Sequence, residues 1–316
     1  MERDIREKNT DRNSLSGVFA AAVTPLKADF TPDLDSLPGL LEFFTRRGCH
    51  GALLLGTTGE GPSFDPGERA SIIQHAISIK RTHPDFRLLA GTGTPSLQET
   101  IRLTRSAFEA GVDGVVVLPP YYYKKISDEG LFTWFKEVIE EAVPEDKRLL
   151  GYHIPAVSGV GFSLDLLARL KDAFPQKFAG LKDSSGDPHF MEQLGEWFGS
   201  ELTVFTGNDR LFSQALKSHA SGCITAMSNL ISPIARQVWD SYQNDALDIH
   251  AQNRLNTARD LMDRFATAPA LLKALLARLF NFPTWEVRPP LLPLAPDLVD
   301  KAQEDLAKVL LSPDEV

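Results

Sequence analysis

Short apolar runs alternate with longer helix-periodic runs along most of this chain, and this alternation limits the possible folds more than any other feature. Each apolar run is continuous rather than mixed with polar residues, as expected for parallel strands that are buried on both faces. Between the runs lie amphipathic helix patterns, each of which could place an apolar stripe on a sheet. The eight predicted strands are Gly17–Val23, Gly51–Leu55, Arg87–Gly91, Gly114–Leu118, Arg148–Tyr152, Phe178–Lys182, Leu202–Thr206 and Gly222–Thr225.

The repeated strand-and-helix units predict an α/β fold. Eight units in about 230 residues fit a TIM (β/α)8 barrel, although a doubly wound open sheet shows a similar alternation, and the count of eight favours the barrel. After the eighth strand the pattern changes to helices only, from about Pro233 onward, with a proline-rich interruption at Arg288–Pro296. We therefore divide the chain into a flexible N-terminal tail (1–14), a (β/α)8 barrel catalytic domain (15–240) and a C-terminal helical extension (241–316).

Composition and charge exclude several classes of protein. The formal net charge of −9 comes without a basic stripe, so nucleic-acid binding is not expected. Cys49 and Cys223 each lie beside an apolar strand-like run, and the histidines form no HExxH pattern, so neither a disulfide framework nor a metal site is predicted. No apolar stretch approaches the roughly 20 residues that cross a bilayer, and residues 1–14 contain no signal-like apolar segment. We expect a cytoplasmic protein that contacts no membrane.

In a TIM barrel the active site forms at the carboxyl ends of the strands, so polar residues there are the first candidates for chemistry. Lys182 directly follows the apolar run of the sixth strand, where desolvation disfavours the ammonium and frees the amine to attack a carbonyl carbon. An ion pair with Asp183 is the alternative, and the spacing does not decide between the two. Tyr152 ends the fifth strand, so its phenol could move protons beside the lysine, or it could simply cap the barrel core.

The second strand runs into a glycine-rich turn, Gly56–Gly61, with the sequence GTTGEG. The glycines permit a tight turn, and the amides of residues such as Gly56, together with the hydroxyls of Thr57 and Thr58, could converge on an anion. The turn lacks the lysine of a phosphate-binding GxxxxGK[ST] loop, so it favours a substrate carboxylate over a nucleotide. A polar turn without any ligand is the alternative interpretation.

Four short motifs occur in chain order at predicted strand ends: GTTGE at 56–60, PPYY at 119–122, YHIP at 152–155 and GLKDSSGD at 180–187. In this combination, nearly the whole chain resembles the dihydrodipicolinate synthase and N-acetylneuraminate lyase superfamily. The resemblance implies that Lys182 is the Schiff-base lysine and that Tyr152 is the proton-transfer tyrosine. It further implies that Thr57 relays protons with Tyr152, and that Thr58 binds the carboxylate of a keto acid together with the loop amides.

The resemblance also implies partners. Tyr122 matches the tyrosine that, in the synthases, reaches into the site of a neighbouring subunit, which implies a homo-oligomer that is at least a dimer and usually a tetramer. Ile224 falls where the family lines the pyruvate pocket. The implied substrates are pyruvate, or another 2-keto acid, and an aldehyde, and the implied chemistry requires no cofactor.

Three sites depart from the patterns of the known branches, and they bear on the substrate. Val157 stands where synthases carry an arginine that holds the carboxylate of the second substrate. Asp209 and Arg210 stand where neuraminate lyases carry an aspartate and a glutamate, and Ala226 replaces one of their serines. Arg210 could meet an anionic group on the aldehyde half of the substrate, or it could be a helix-surface arginine.

The leading interpretation is a class I aldolase or lyase that reversibly cleaves a 2-keto-3-deoxy sugar acid through an imine on Lys182. Dihydrodipicolinate synthase activity, and a keto-deoxy-acid dehydratase that uses the same imine, are the alternatives. A non-catalytic sensor of keto acids belongs to a different class of protein, and the presence of both Lys182 and Tyr152 argues against it.

Overall fold

The computed structural model of the protein describes residues 15–265 and 267–310, so the predicted tail at 1–14 lies outside the described residues. Eight parallel strands pair in chain order, and the eighth pairs back onto the first, so the sheet closes into a barrel. The TIM-barrel prediction is confirmed. The strands are β1 Gly17–Ala21, β2 Gly51–Leu54, β3 Arg87–Gly91, β4 Gly114–Val117, β5 Arg148–His153, β6 Phe178–Asp183, β7 Thr203–Thr206 and β8 Gly222–Thr225.

Helices surround the barrel and continue beyond it. Within the described part of the chain, none of them combines the length and the apolar character of a membrane span. The helices are α1 Leu37–Arg46, α2 Pro66–Ala76, α3 Leu97–Ala110, α4 Asp128–Ala142, α5 Pro155–Ser158, α6 Leu164–Ala173, α7 Pro188–Phe198, α8 Phe212–Lys217, α9 Ser228–Gln243, α10 Ile249–Met262, α11 Ala268–Phe280 and α12 Pro296–Leu310.

Alternate residues of each strand point into the barrel, where they form a core of their own. The inward side chains include Phe19, Leu53, Leu150 and Phe205, and the rings of Phe19 and Phe205 meet edge to face with 5.2 Å between their centroids. The opposite faces of the strands pack against the helices in a second, larger core. Because apolar side chains fill the barrel interior, polar groups gather at its ends, and TIM barrels build their active sites at the carboxyl-terminal mouth.

Strand ends differ slightly from the sequence prediction. β1 ends at Ala21 rather than at Val23, because the N–H of Val23 donates to Oδ1 of Asn229 at 3.1 Å instead of to a neighbouring strand. The other strand ends lie within one residue of the predicted ones.

The first helix after β8 corrects the predicted start of the helical part. α9 begins at Ser228 rather than near Pro233, and it kinks at Ile231, just ahead of the proline that lacks the N–H of a regular helical turn. The helix ends at Gln243, so the predicted domain boundary at residue 240 falls inside it. α9 packs on β1 of the barrel and on α10 of the extension, so it joins the two, and the division of the chain at residue 240 stays a prediction.

The helical extension reaches the mouth of the barrel. Gln252 of α10 contacts the segment after β7, where its Nε2 donates to the backbone oxygens of Asp209 at 3.0 Å and Arg210 at 3.2 Å. Its Oε1 accepts a hydrogen bond from the hydroxyl of Ser213 at 2.7 Å. The extension therefore contributes to the region in which a TIM barrel builds its active site.

A buried ion pair joins the extension to the glycine-rich turn. Nζ of Lys273 in α11 lies 2.5 Å from Oε1 of Glu60 and 2.6 Å from the backbone oxygen of Glu286. The other oxygen of Glu60 accepts a hydrogen bond from the N–H of Arg288 at 2.8 Å. Burial lowers the pKa of the Lys273 ammonium, although the charge on Glu60 opposes the shift. One carboxylate thus ties the turn to both α11 and the segment that follows it.

Replacing Lys273 with methionine is expected to destabilise the protein by about 3–5 kcal/mol, because Glu60 would stay buried without its cation. Denaturant unfolding of the wild type and the variant measures the difference. The matched control is Lys171→Met, which should cost little because its partner Glu201 is 76% exposed. Adding Glu60→Gln to Lys273→Met should recover part of the loss, and equal losses for the buried and exposed pairs would contradict this account.

Candidate active site

Lys182 and Tyr152 stand side by side at the mouth of the barrel. They are register partners on β6 and β5, and Nζ of Lys182 lies 4.1 Å from the centroid of the Tyr152 ring. Both side chains are buried, and Lys182 is only 3% exposed. Successive strand residues point to opposite faces of the sheet, and Leu181 packs outward among the helices, so Lys182 points into the barrel.

The alternative prediction for Lys182, an ion pair with Asp183, is not formed. Asp183 occupies the next strand position, and its Oδ1 accepts a hydrogen bond from the N–H of Ser185 at 3.0 Å. Burial raises the pKa of Asp183 to about 6. Within residues 15–265 and 267–310, no carboxylate lies at ion-pair distance from Lys182. The barrel wall, rather than a counter-ion, therefore holds the amine in place.

The phenol of Tyr152 has neighbours that suit a proton-transfer group. Its Oη lies 3.2 Å from Oγ1 of Thr57. Burial raises the pKa of Tyr152, but the charge on Lys182 and hydrogen bonds with Thr57, Lys182 and Ser184 outweigh burial, so the net shift is downward. A lowered pKa brings the phenol closer to the pH at which an enzyme works, which favours proton transfer.

The glycine-rich turn is folded too tightly to accept larger side chains at some positions. A Cβ on Gly61 would lie 1.9 Å from the backbone oxygen of Leu55. Leu55 and Glu60 both adopt a φ of 57°, in the left-handed region that few residues visit, and the buried partners of Glu60 hold it there. This folding presents Thr57 and Thr58 to the barrel mouth.

A cavity of about 340 Å³ opens at the mouth and brings most of the predicted site together. A neighbouring cavity of about 280 Å³ is lined by Gly56, so the structure does not bring this glycine into the first cavity. Thr57, Tyr152 and Val157 line both spaces. The predicted residues that line the first cavity are Lys182, Tyr152, Thr57, Thr58, Val157 and Ile224.

Arg210 does not line the cavity, which corrects the suggestion that it meets the substrate. Its Nε donates to Oδ1 of Asp260 at 2.8 Å, and its Nη1 donates to Oδ2 of Asp263 at 2.7 Å. Both aspartates lie at the end of α10 and just beyond it, and they draw the guanidinium onto the surface of the extension. Arg210 therefore lies where the alternative interpretation, a helix-surface arginine, would place it.

Asp209 lies beneath the mouth and outside the cavity lining. Its side chain is buried, and its Oδ2 has no hydrogen-bond partner among the residues that the structure describes. The nearest cation is Nη1 of Arg259, at 3.7 Å. Burial raises the pKa of Asp209, and the charge on Arg259 opposes this shift. The structure therefore does not bring Asp209 to a substrate in the cavity.

Tyr122 stands away from the cavity of its own chain. Its side chain is 75% exposed, and its ring meets that of Tyr123 with 5.2 Å between centroids. Its assignment to the site of a neighbouring subunit stays a prediction.

Sequence reasoning missed several side chains that line the cavity: Ser184, Ser185, Asn208, Arg259 and Met262. The two serines directly follow Lys182, so the position of that strand end could have identified them. Arg259 lies in α10, and no motif or spacing connected that helix with the strand ends. Among the described residues, no group of three or more His, Cys, Asp and Glu side chains is arranged to hold a metal ion.

His153 follows Tyr152 in the sequence but has a structural role. Its Nδ1 accepts a hydrogen bond from the N–H of Phe162 at 2.9 Å, and its ring stacks on Phe190 with 4.6 Å between centroids. Burial lowers the pKa of His153 to about 4, against a small opposing effect of Asp187. The folded protein therefore keeps this imidazole neutral in mildly acidic solution.

The free energy of unfolding should fall as the pH drops from about 6.5 to about 4, because the unfolded chain binds a proton at His153 that the folded chain does not. His153→Asn offers an amide oxygen to the N–H of Phe162 and cannot titrate. The free energy of unfolding of this variant should fall less steeply with decreasing pH than that of the wild type, and the two slopes should differ by up to about 1.4 kcal/mol per pH unit. Asp183, which gains protons more easily when folded, opposes the trend equally in both proteins. Parallel stability curves between pH 6.5 and 4 would contradict the assigned burial of His153.

Comparison with known proteins identifies the family to which this chain is similar. The chain matches the sequence profile of the dihydrodipicolinate synthetase family over residues 14–309. An uncharacterized DapA-like lyase of Chloroflexus aurantiacus is 39% identical over 280 residues, which cover 88% of this chain and 92% of that protein. A 4-hydroxy-tetrahydrodipicolinate synthase of Syntrophobacter fumaroxidans is 31% identical over 92% of this chain and 97% of its own length.

Solved structures agree with the fold. Dihydrodipicolinate synthase from Agrobacterium tumefaciens superposes with a TM-score of 0.83 at 28% identity, covering 94% of this chain and 100% of that one. YagE, a prophage protein from E. coli solved in complex with pyruvate, gives a TM-score of 0.86 at 23% identity, with 94% and 99% covered, which shows the likeness of fold. Since the family profile spans nearly the whole chain and relatives above 30% identity align along most of it, the protein belongs to the dihydrodipicolinate synthetase family of lyases.

Proposed function

We propose that the protein is a class I aldolase or lyase in which the amine of Lys182 forms an imine with pyruvate, or with a 2-keto acid that is cleaved to pyruvate. The observation that carries this proposal is the position of Nζ, which is buried, 4.1 Å from the Tyr152 ring centroid and without a paired carboxylate among the described residues. An amine that is desolvated and has no counter-ion is suited to attack on a carbonyl carbon. The cavity beside it offers room for the substrate.

The proposed reaction uses the side chains of the cavity together with the turn amides and water. The amine of Lys182 attacks the ketone carbon, and loss of water gives a protonated imine. As the bond between the third and fourth carbons of the keto acid breaks, its electron pair moves into the imine to give an enamine, while Tyr152 takes the proton of the fourth-carbon hydroxyl and an aldehyde leaves. Protonation of the enamine and hydrolysis release pyruvate and restore the amine. Thr57 relays protons with Tyr152, and Thr58 with the turn amides holds the carboxylate.

The leading substrate in this proposal is a 2-keto-3-deoxy sugar acid. Val157 lines the cavity and is 64% exposed, so the position that carries an arginine in the synthases supplies no cation. The synthase reaction, between pyruvate and aspartate semialdehyde, is the second candidate, because relatives at about 30% identity bear the synthase name. A dehydratase would begin with the same imine.

Product analysis separates these reactions. The enzyme is incubated with 2-keto-3-deoxy sugar acids and, separately, with pyruvate plus aspartate semialdehyde, while NMR follows the products. We expect the sugar acid to yield pyruvate and an aldehyde, with a higher kcat/KM than the condensation. Loss of water from the sugar acid without release of pyruvate would identify a dehydratase. If condensation of pyruvate with aspartate semialdehyde is faster than cleavage of the sugar acid, the synthase reaction becomes the proposed function.

The proposal includes a homo-oligomer, a dimer or a tetramer, in which Tyr122 reaches a neighbouring site. The 75% exposure of Tyr122 and the 73% exposure of Tyr123 support it, because adjacent exposed aromatic rings are typical of interface residues. Light scattering of the purified protein tests it, and a monomer at working concentrations would contradict it.

A further inference from the structure

We propose that Arg259 binds a second anionic group of the substrate, a carboxylate or a phosphate at the end remote from the ketone, so that the enzyme selects dianionic 2-keto acids. This inference rests on the proposed imine at Lys182 and defines the class of substrate more narrowly. Its basis is the charge of the cavity. Of the described residues that line it, only Lys182 and Arg259 are charged, and both are basic. Once Lys182 has joined the ketone carbon, Arg259 is the charged side chain of the described lining that is free to meet another part of the substrate.

Two carboxylates hold the Arg259 guanidinium, one at Nε and one near Nη1. Nε lies 2.8 Å from Oδ1 of Asp263, and Nη1 lies 3.7 Å from Oδ2 of Asp209. The side chain is 21% exposed, so it is partly desolvated but open to the cavity. Within the described chain, no hydrogen bond engages Nη2. A guanidinium held at Nε and approached at Nη1 still presents the N–H groups of Nη2, which suit an oxygen of a carboxylate or a phosphate.

Two of the three acidic residues around Arg259 also bind a second arginine, and the third is buried. Asp260 and Asp263 both bind Arg210, on the outside of the extension. Asp209 is buried below the cavity, and its burial raises its pKa, which weakens its opposition to an incoming anion. None of these three aspartates lines the cavity. The positive charge of Arg259 is therefore the one that a substrate meets.

The position of Arg259 also accounts for the departure at Val157. Both side chains line the same cavity, Val157 from the segment after β5 and Arg259 from α10. The cation that the synthases place on the β5 side is missing here, and the extension supplies one instead. Asn208 and Ser185 add uncharged polar groups to the lining, which suit the hydroxyls of a sugar acid.

Cleavage kinetics with matched substrates test the proposal. Three 2-keto-3-deoxy sugar acids of equal chain length are compared, with a terminal hydroxymethyl, carboxylate or phosphate group. The wild type should have a higher kcat/KM for at least one of the two dianions than for the neutral-ended acid. Arg259→Gln should lower kcat/KM for that dianion about 10- to 100-fold, since a charged hydrogen-bonding partner is lost, and change the neutral-ended acid by no more than about twofold.

Two further variants guard against a folding effect. Arg259→Lys keeps the charge and should retain part of the preference. Arg210→Gln removes a neighbouring arginine that shares Asp263 but lies outside the cavity, and it should leave the preference unchanged. Equal kcat/KM for all three acids in the wild type, or an undiminished preference in folded Arg259→Gln, would overturn the proposal.

Failure of this inference can be told apart from failure of the proposed function. Pyruvate carries no second anion, so borohydride should trap it on Lys182 equally in the wild type and in Arg259→Gln. If pyruvate is trapped on Lys182 but the enzyme shows no preference for dianions, only the proposed role of Arg259 is wrong. If pyruvate is not trapped in the wild type, the imine on which this inference depends is wrong as well.

Discussion

Replacing Lys182 with methionine is expected to remove nearly all turnover, lowering kcat/KM by about five to six orders of magnitude, as removal of a covalent nucleophile does in other enzymes. The expected size follows from the cavity, because the other basic side chain in its described lining is Arg259, whose guanidinium is a poor nucleophile. Steady-state kinetics with the cleaved keto acid measure the loss.

Two controls show whether that loss is chemical. Lys182→Arg keeps a positively charged side chain of similar length, but it should be as inactive as the methionine variant. The free energy of unfolding of Lys182→Met should not fall, because an apolar side chain replaces a buried amino group that has no carboxylate partner in the described chain. If Lys182→Arg kept more than about one part in a hundred of the wild-type kcat/KM, covalent catalysis at this residue would be wrong.

Replacing Tyr152 with phenylalanine is expected to lower kcat by about 10²- to 10⁴-fold, the usual contribution of a positioned acid or base. The ring would still pack beside Lys182, so the binding of the keto acid and formation of the imine should continue, more slowly. Pre-steady-state trapping of the imine separates this step from cleavage. An unchanged kcat would place proton transfer elsewhere.

The matched variant for the phenol is Thr57→Val. It removes the hydrogen bond at 3.2 Å, which helps to lower the pKa of Tyr152, without removing the phenol itself. If the ionised phenol acts as the base, loss of that bond raises its pKa, so the limb of the kcat profile that rises with pH should move to higher pH. If the pH profile of kcat does not move, Thr57 does not take part in proton transfer with Tyr152.

The alternation of apolar and amphipathic segments was sufficient to predict the barrel, because parallel strands and covering helices differ strongly in their periodicity. It also predicted that Lys182 and Tyr152 are neighbours, since residues at successive strand ends meet once the sheet closes, whereas their roles came from the family resemblance and stay predictions. The division of the chain at residue 240 stays a prediction, and that residue lies within α9, because the pattern does not reveal that this helix continues to Gln243.

The sequence was less informative about α10. The resemblance left Arg210 open as a substrate contact or as a helix-surface arginine, and its ion pairs with Asp260 and Asp263 hold it on the surface. Arg259 enters the cavity from a helix distant in sequence, through tertiary packing that local periodicity does not encode. Residues that reach a site from outside the repeated units are therefore the part of this site that required a structure.

Trapping of the imine tests the central claim most directly. The wild-type protein is incubated with pyruvate, reduced with borohydride, digested and analysed by mass spectrometry. The predicted result is one modified peptide, with the mass of pyruvate less water plus two hydrogens attached at Lys182, and no such adduct in Lys182→Met. A folded wild-type protein without this adduct, or with the adduct on another lysine, would contradict imine formation at Lys182.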